Sequence, residues 1–315
     1  MAEVKEVRLY KNGDEKGITR LFKEVFGREM SIEEWHWKYR EISPHKVYSS
    51  VAVNESDEIV AHYGGMPHRM VYQGKEVCGL AIGDIMVQQR FRSFKLFREI
   101  AAMVPEEAVK DGIILGYGFP NTRAMALPAK LGLYEKVEDV LEANKEVRFN
   151  NNTYRFFYKL FPLSFGDSRI DGLWESVKRE FKLAVVRDGD YLRWRYQRHP
   201  FFRYELWGLK KRWSNELAGL AVLRSEAEKM LLVDFVCNTD MIGILFQKVE
   251  NYSYACGMKN LSLWFSEYLR HTLDRLGFPV HTSCTCIPRT THEETLTKDQ
   301  IKGQFFYTMG DTDFL

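Results

Sequence analysis

The residues whose types and spacing suit chemistry gather at a junction, Ile85-Met86-Val87-Gln88-Gln89-Arg90-Phe91-Arg92-Ser93-Phe94-Lys95-Leu96-Phe97, where a strand gives way to a helix. Backbone N–H groups at a helix start lack intrahelical partners, and the helix dipole adds positive potential, so such a junction suits a phosphate. Arg90, Arg92 and Lys95 add charge at the same place. The alternative is that three basic residues solvate a helix start. A second cluster, Cys284 and Cys286 with His281 and His292, has donor atoms for a metal. Two thiols two residues apart in a strand also share a face for packing, and no paired C-x-x-C accompanies them, so no metal is expected. Arg193, Arg195, Arg198 and Arg203 alternate with Tyr191, Trp194, Tyr196 and Phe201. Spread over a short helix and a strand they face several directions, which reads as packing and ion pairs rather than a nucleic-acid surface.

The elements that position these groups follow from periodicity. Ile18, Leu21, Phe22, Val25 and Phe26 build one apolar helix face closed by Gly27, and Ser31 with Glu34 begins a second helix with a capping box. Strands are expected over Ser50–Val53, Ile59–Gly64 and Val77–Val87, with a turn at Gln73-Gly74. A helix over about 94–110 ends at Gly112 and is kinked or split by Pro105. A short strand over 113–119 and a helix over 122–131, stopped by Gly132, follow. The second half repeats this order, with helices over 173–186, 191–196, 241–256 and 268–276. Its strands are expected over 204–209, 217–223, 230–236, 261–265, 280–286 and 305–308.

Two strings support a duplication. Trp37-Lys38-Tyr39 matches Trp194-Arg195-Tyr196, each followed by a proline and a histidine, and Lys130-Leu131-Gly132-Leu133 matches Arg275-Leu276-Gly277-Phe278. Both pairs are offset by about 150 residues, an ordinary domain length. The boundary is expected between Asn150 and Asp171, giving domains 1–150 and 151–315. Lys+Arg number 45 and Asp+Glu 43, for a net charge of +2. That balance gives no support to a general polyanion binder, and no apolar stretch is long enough to span a membrane. No secretory leader is readable, and five cysteines without scaffold spacing favour reduced thiols and a cytoplasmic home.

The order of elements and these strings resemble the GNAT superfamily of acyl-CoA-dependent N-acyltransferases, as a tandem two-domain member. The resemblance covers the first half and, more loosely, the second. It implies an α/β (α+β) fold of two GNAT-like domains, each a mixed, mostly antiparallel sheet flanked by helices. It also implies acetyl-CoA, or another acyl-CoA, as co-substrate. Arg92 stands at the leading Arg of the family's pyrophosphate loop, so Met86, Val87, Arg92, Ser93, Phe94, Lys95, Leu96 and Phe97 become cofactor-binding candidates. Asn121 joins them at the start of the later helix. The loop's glycine positions hold Lys95 and Phe97, and the family's proton-donating tyrosine position holds Pro128. Tyr117 and Tyr134 are substitutes for that donor. For the base that deprotonates the amine the resemblance points to Asp84, then His62 and His68. A backbone N–H near Met86 or Val87, freed by a bulge, would face the oxyanion.

The expected activity is therefore transfer of an acyl group to an amine by direct attack, the first domain holding the cofactor. The acceptor is a small-molecule or sugar amine, or a protein amine. In the second half Val236-Cys237-Asn238-Thr239-Asp240 replaces the basic junction, with Asp240 expected as a helix cap. Two rivals remain: a non-catalytic module that keeps the fold, and an aminoacyl-tRNA-dependent peptidyltransferase of the cell-wall type.

Overall fold

A computed structural model describes residues 3–43, 45–149 and 156–312. Pro44, Asn150, Asn151, Asn152 and Asp313 lie outside the described residues, as does the start of the expected boundary. The chain forms two compact units that no single cut separates. One gathers Met1–Arg69, Val77–Glu138 and Thr285–Gln300; the other gathers Met70–Glu76, Asp139–Cys284 and Ile301–Leu315.

The first part of the chain runs β1 (Val4–Leu9), α1 (Glu15–Phe26), α2 (Ile32–His36), β2 (Tyr48–Asn54), β3 (Ile59–Tyr72), β4 (Lys75–Val87), α3 (Phe94–Lys110), β5 (Leu115–Tyr117), α4 (Thr122–Lys130) and β6 (Tyr134–Glu146). After it come β7 (Tyr158–Pro162), α5 (Arg169–Val177), β8 (Leu183–Val185), α6 (Gly189–Leu192), β9 (Glu205–Lys211), β10 (Gly219–Glu226) and β11 (Lys229–Cys237). The rest is α7 (Ile242–Ala255), β12 (Asn260–Phe265), α8 (Arg270–Arg275), β13 (Val280–Thr290), α9 (Lys298–Ile301) and β14 (Phe305–Phe306).

In the first unit the strand order is β1-β2-β3-β4-β5-β13-β6. β1, β2 and β3 pair antiparallel, and β4 and β5, joined through α3, pair parallel. The turn Gln73-Gly74 between β3 and β4 has positive φ at both residues, 49° and 77°, the conformation that keeps a two-residue hairpin in step with strand twist. The apolar face of α3, with Leu96, Phe97, Ile100, Ala101, Val104 and Ala108, packs on Ala52, Ala61, Tyr63 and Leu80 of the sheet. α3 continues through Pro105 as one helix, and α4 contains Pro128 near its end. In the second unit the order β6-β12-β11-β10-β9-β7 again has one strand–helix–strand step, β11-α7-β12, that gives a parallel pair. Both units thus carry the mixed, mostly antiparallel sheet flanked by helices that the sequence implied.

The unforeseen feature is the last strand of the first unit. The sequence assigned 280–286 to the second half, yet Thr285–Gln300 belongs to the first unit. There Arg289 pairs with Tyr117, Cys286 N–H donates to Pro120 O (3.1 Å), and Leu296 N–H donates to Ile114 O (2.8 Å). A strand is blind to its partner in sequence, because its alternation suits any sheet of the right depth. A fragment of residues 1–149 lacks this strand and leaves β5 and β6 without the one between them. It is expected to show no cooperative urea transition by circular dichroism, whereas the full chain does; a fragment as stable as the full chain contradicts the assignment.

Candidate active site

The site is built on β4. Asp84 takes a left-handed conformation there, φ 48°, which a non-glycine residue rarely adopts and which Asp tolerates better than most. Its carboxylate is buried and held from below. Lys38 Nζ lies 2.8 Å from both oxygens, and the Tyr39 hydroxyl donates to Oδ2 at 2.7 Å. Both partners come from a π-helical turn, Trp37–Glu41, that continues α2, a conformation frequent at functional sites. Ser31 caps α2 by accepting from Glu34 N–H, as its sequence suggested. Gly64 makes the approach of Tyr39 feasible, since a Cβ there would stand 2.3 Å from the Tyr39 hydroxyl. Burial alone would raise the Asp84 carboxyl, but the Lys38 charge and the bonds from Lys38 and Tyr39 outweigh it and hold it below the usual carboxylate range.

His62 lies beside this group, fully buried. Its Nδ1 is 2.7 Å from the Asp84 backbone carbonyl, which can only accept, so Nδ1 carries the proton. Nε2 meets Ser49 Oγ at 2.5 Å. Burial pushes this imidazole below its ordinary pKa, against the bond to the Asp84 carbonyl. Both nitrogens are engaged, and Asp84 is a weak base. Two of the three residues named for the base, Asp84 and His62, are brought together in a network that fixes the kink in β4, while the third, His68, bonds Tyr117 instead.

Beyond the kink, the turn Gln89–Phe91 leads to Arg92 and Ser93 in extended conformation and then to α3. Met86, Val87, Arg92, Ser93, Phe94 and Lys95 meet at this junction. Ser93 caps the helix, accepting from Leu96 N–H at 3.2 Å, and Arg92 Nε donates to Val87 O at 3.2 Å. Phe94 is exposed and Lys95 nearly fully so, its ammonium 3.9 Å from Glu99. Arg90 stands exposed, 3.9 Å from Glu58. Leu96 and Phe97 turn into the core instead, which accounts for a phenylalanine at a loop position. A seventeen-residue helix with its start outward and three exposed cations around it suits a polyanion by charge. Asn121 stands apart as the cap of α4, accepting from Ala124 N–H at 2.9 Å.

Tyr117 occupies the last rung of the β4–β5 ladder, opposite Ala81. There β5 ends, while β4 runs on to Val87 and the chain after Tyr117 is drawn to β13. Its hydroxyl is 2.7 Å from His68 Nδ1, and Phe119 meets its ring edge-on. Tyr134 shares a 2.5 Å bond with the Tyr63 hydroxyl inside the core, and burial raises both phenols. The sequence could not show Lys38, Tyr39 and Ser49 as partners; the Trp-Lys-Tyr string was the one trace of them.

The second unit repeats the arrangement with different filling. Asp188 caps the turn that leads into Trp194-Arg195-Tyr196, again π-helical, and the Tyr196 hydroxyl donates to Asp234 on β11 at 2.6 Å. A Cβ at Gly310 would stand 2.0 Å from that hydroxyl. The cation is Arg187, bound to Asp234 at 2.9 Å and Asp311 at 2.5 Å. Burial and Asp234, against Arg187, raise the Asp311 carboxyl to about 6. Asp240 does not cap α7: the 3-10 turn Thr239–Met241 runs straight into the helix and places Met241 at the cap. At that turn Thr239 N–H and Oγ donate to the Glu180 carboxylate at 2.8 and 2.9 Å. The chain's own anion sits where the first unit leaves cations exposed.

Residues 6–136 match the model of the acetyltransferase (GNAT) domain. Residues 6–136 form a GNAT domain. Across both units the fold is similar to that of a probable N-acyltransferase from Enterococcus faecalis, with TM-score 0.69, 13% identity, and coverage of 90% of this chain and 72% of that one. A GCN5-related N-acetyltransferase from Kribbella flavida matches with TM-score 0.69 at 12% identity, covering 91% and 71%. Saccharomyces cerevisiae N-myristoyltransferase with bound myristoyl-CoA matches with TM-score 0.60 at 11% identity, covering 90% and 82%. No curated protein matches the sequence. The fold shared with these structures therefore extends over both units, while the match to the GNAT domain model lies within residues 6–136.

Breaking one partner of a buried pair leaves an uncompensated charge, so Lys38→Met should destabilise the GNAT domain by about 3–5 kcal/mol in urea titration. Because the native Asp84 carboxyl titrates below its unfolded value, the wild-type pair stabilises the fold above the ordinary carboxylate range. That contribution is lost as pH falls through the native value. In Lys38→Met the acid-dependent loss of stability should shrink, and adding Asp84→Asn, which suits positive φ, should recover part of the deficit.

Proposed function

We propose that this chain is an acyl-CoA-dependent N-acyltransferase, with acetyl-CoA as donor and an amine as acceptor, and that the first unit holds the donor. The observation that carries this reading is the contrast between the two junctions. In the first unit, Arg90, Arg92 and Lys95 surround an outward helix start, whereas Glu180 occupies the matching turn of the second. Arg92, Lys95, Ser93 and the N–H groups of the first turn of α3 would hold the pyrophosphate, and Asn121 would border the arm. The donor supplies a thioester carbonyl; the chain binds and orients it and moves protons. Met86 and Val87, carried past the kink at Asp84, would present backbone N–H to the oxyanion.

Asp84 and His62 are positioning residues in this account: engaged on every side, they hold the kink rather than accept a proton, so the attacking amine gives its proton to solvent water as the amide forms. Tyr117, oriented by His68 where β4 and β5 part, is the proton donor to the leaving thiolate. The full engagement of Asp84 and His62 is also what favours the rival, a GNAT-like module without catalysis. Release of CoA thiol from acetyl-CoA across a panel of amines separates the two. The enzyme reading expects turnover with at least one amine. Tyr117→Phe should lower kcat about 100-fold with little change in donor binding. A folded protein that binds acetyl-CoA and turns over with none of the amines contradicts it.

A further inference from the structure

Three of the most exposed large apolar side chains in the protein are neighbours. Phe156, Phe157 and Trp213 expose 60%, 53% and 76% of their surfaces. Phe156 and Phe157 pack edge against face at 6.3 Å, and the Phe157 and Trp213 rings meet at a tilt, 5.9 Å apart. They stand where β7 begins and β9 ends, in the second unit, and backbone bonds hold them together: Arg212 N–H donates to Phe157 O at 2.8 Å and Arg212 Nε to Phe156 O at 2.6 Å. A contiguous apolar wedge of this kind in water marks something that covers it.

Cations gather around it, with one carboxylate, Asp167, paired to Arg169 at 2.7 Å. Lys159 and Lys210 stand directly opposite each other across the β7–β9 ladder, and Lys211 and Arg212 continue the run. Like charges facing across a ladder are unfavourable by themselves. Among the described residues, no carboxylate lies within ion-pair distance of these four cations, although the chain as a whole is nearly neutral. Lys210 and Arg169 flank the Phe161 ring at 5.4 and 5.5 Å, which extends the mixture of rings and cations along β7.

We propose that this face docks the protein onto an anionic lipid surface, Trp213 and Phe157 entering the headgroup layer and Lys159, Lys210 and Arg212 meeting lipid phosphates. Aromatic side chains beside lysine and arginine are the combination an interface of that kind rewards. A nucleic-acid platform fits less well. Stacked bases need open ring faces, and here Arg212 covers Phe156 at 4.6 Å while Phe157 is wedged between two rings.

The full chain is tested by flotation with phosphatidylcholine vesicles, with phosphatidylcholine–phosphatidylglycerol vesicles, and with single-stranded DNA as competitor. Binding to the mixed vesicles alone, weakened by salt, is expected. Lys159→Gln/Lys210→Gln should lose about thirty-fold in affinity while leaving urea stability unchanged or higher, since it removes a like-charge pair. Trp213→Ser/Phe157→Ser should also lose binding at unchanged secondary structure. Equal binding to neutral vesicles, no binding to either, indifference to both variants, or displacement by DNA overturns the proposal. None of these readouts depends on acyl transfer.

Discussion

Each unit must bury a carboxylate on the strand that precedes its crossover helix, and most of the local architecture follows from satisfying it. Asp84 and Asp234 lie the same distance along the chain before the turns Gln89–Phe91 and Thr239–Met241. An unpaired buried carboxylate is prohibitively costly, so each is met by a tyrosine hydroxyl from a π-helical turn and by a cation. Reaching the carboxylate requires the tyrosine to cross a position with no Cβ, Gly64 in one unit and Gly310 in the other. The matched tryptophan–cation–tyrosine strings are the sequence trace of that requirement.

The two solutions differ in where the cation comes from, and that difference separates their roles. In the first unit Lys38 adjoins Tyr39 in the same turn, so a single short element holds Asp84 and the end of β4 stays clear for the loop through Arg92 and Ser93. In the second unit Arg187 serves Asp234 and also Asp311, drawing the segment from Thr308 to Thr312 into the core; Arg195 adds bonds to Gly310 O and Thr312 O. The junction beyond is closed by Glu180. One copy keeps a positive, outward helix start, and the other uses the same geometry to bind its own side chain.

Much of the fold was legible because it rests on local rules. The apolar face of α1, the cap at Ser31, the turn at Gln73-Gly74 and the helix stops at Gly27, Gly112 and Gly132 depend on near neighbours. The duplication was legible through repeated strings. What escaped depends on distance in the chain. The exchange of Thr285–Gln300 into the first unit has no local signature. The partners of Asp84 lie far upstream of it, and nothing in the sequence around Gly83-Asp84 distinguishes a free base from a buried one. The helix over 122–131 was legible too, and α4 forms with Pro128 inside it although a proline there forgoes the bond its N–H would make to the carbonyl four residues back.

The central claim is that the first unit's junction, and not the second's, receives the donor. Calorimetric titration of the full chain with acetyl-CoA, beside Arg92→Ala/Lys95→Ala and Glu180→Ala, tests it most directly. The account predicts one site of about micromolar strength, near −8 kcal/mol. That site should weaken at least about tenfold in the Arg92/Lys95 variant and stay unchanged in Glu180→Ala. Binding untouched by loss of Arg92 and Lys95, or no heat at about millimolar ligand in a folded protein, would contradict it.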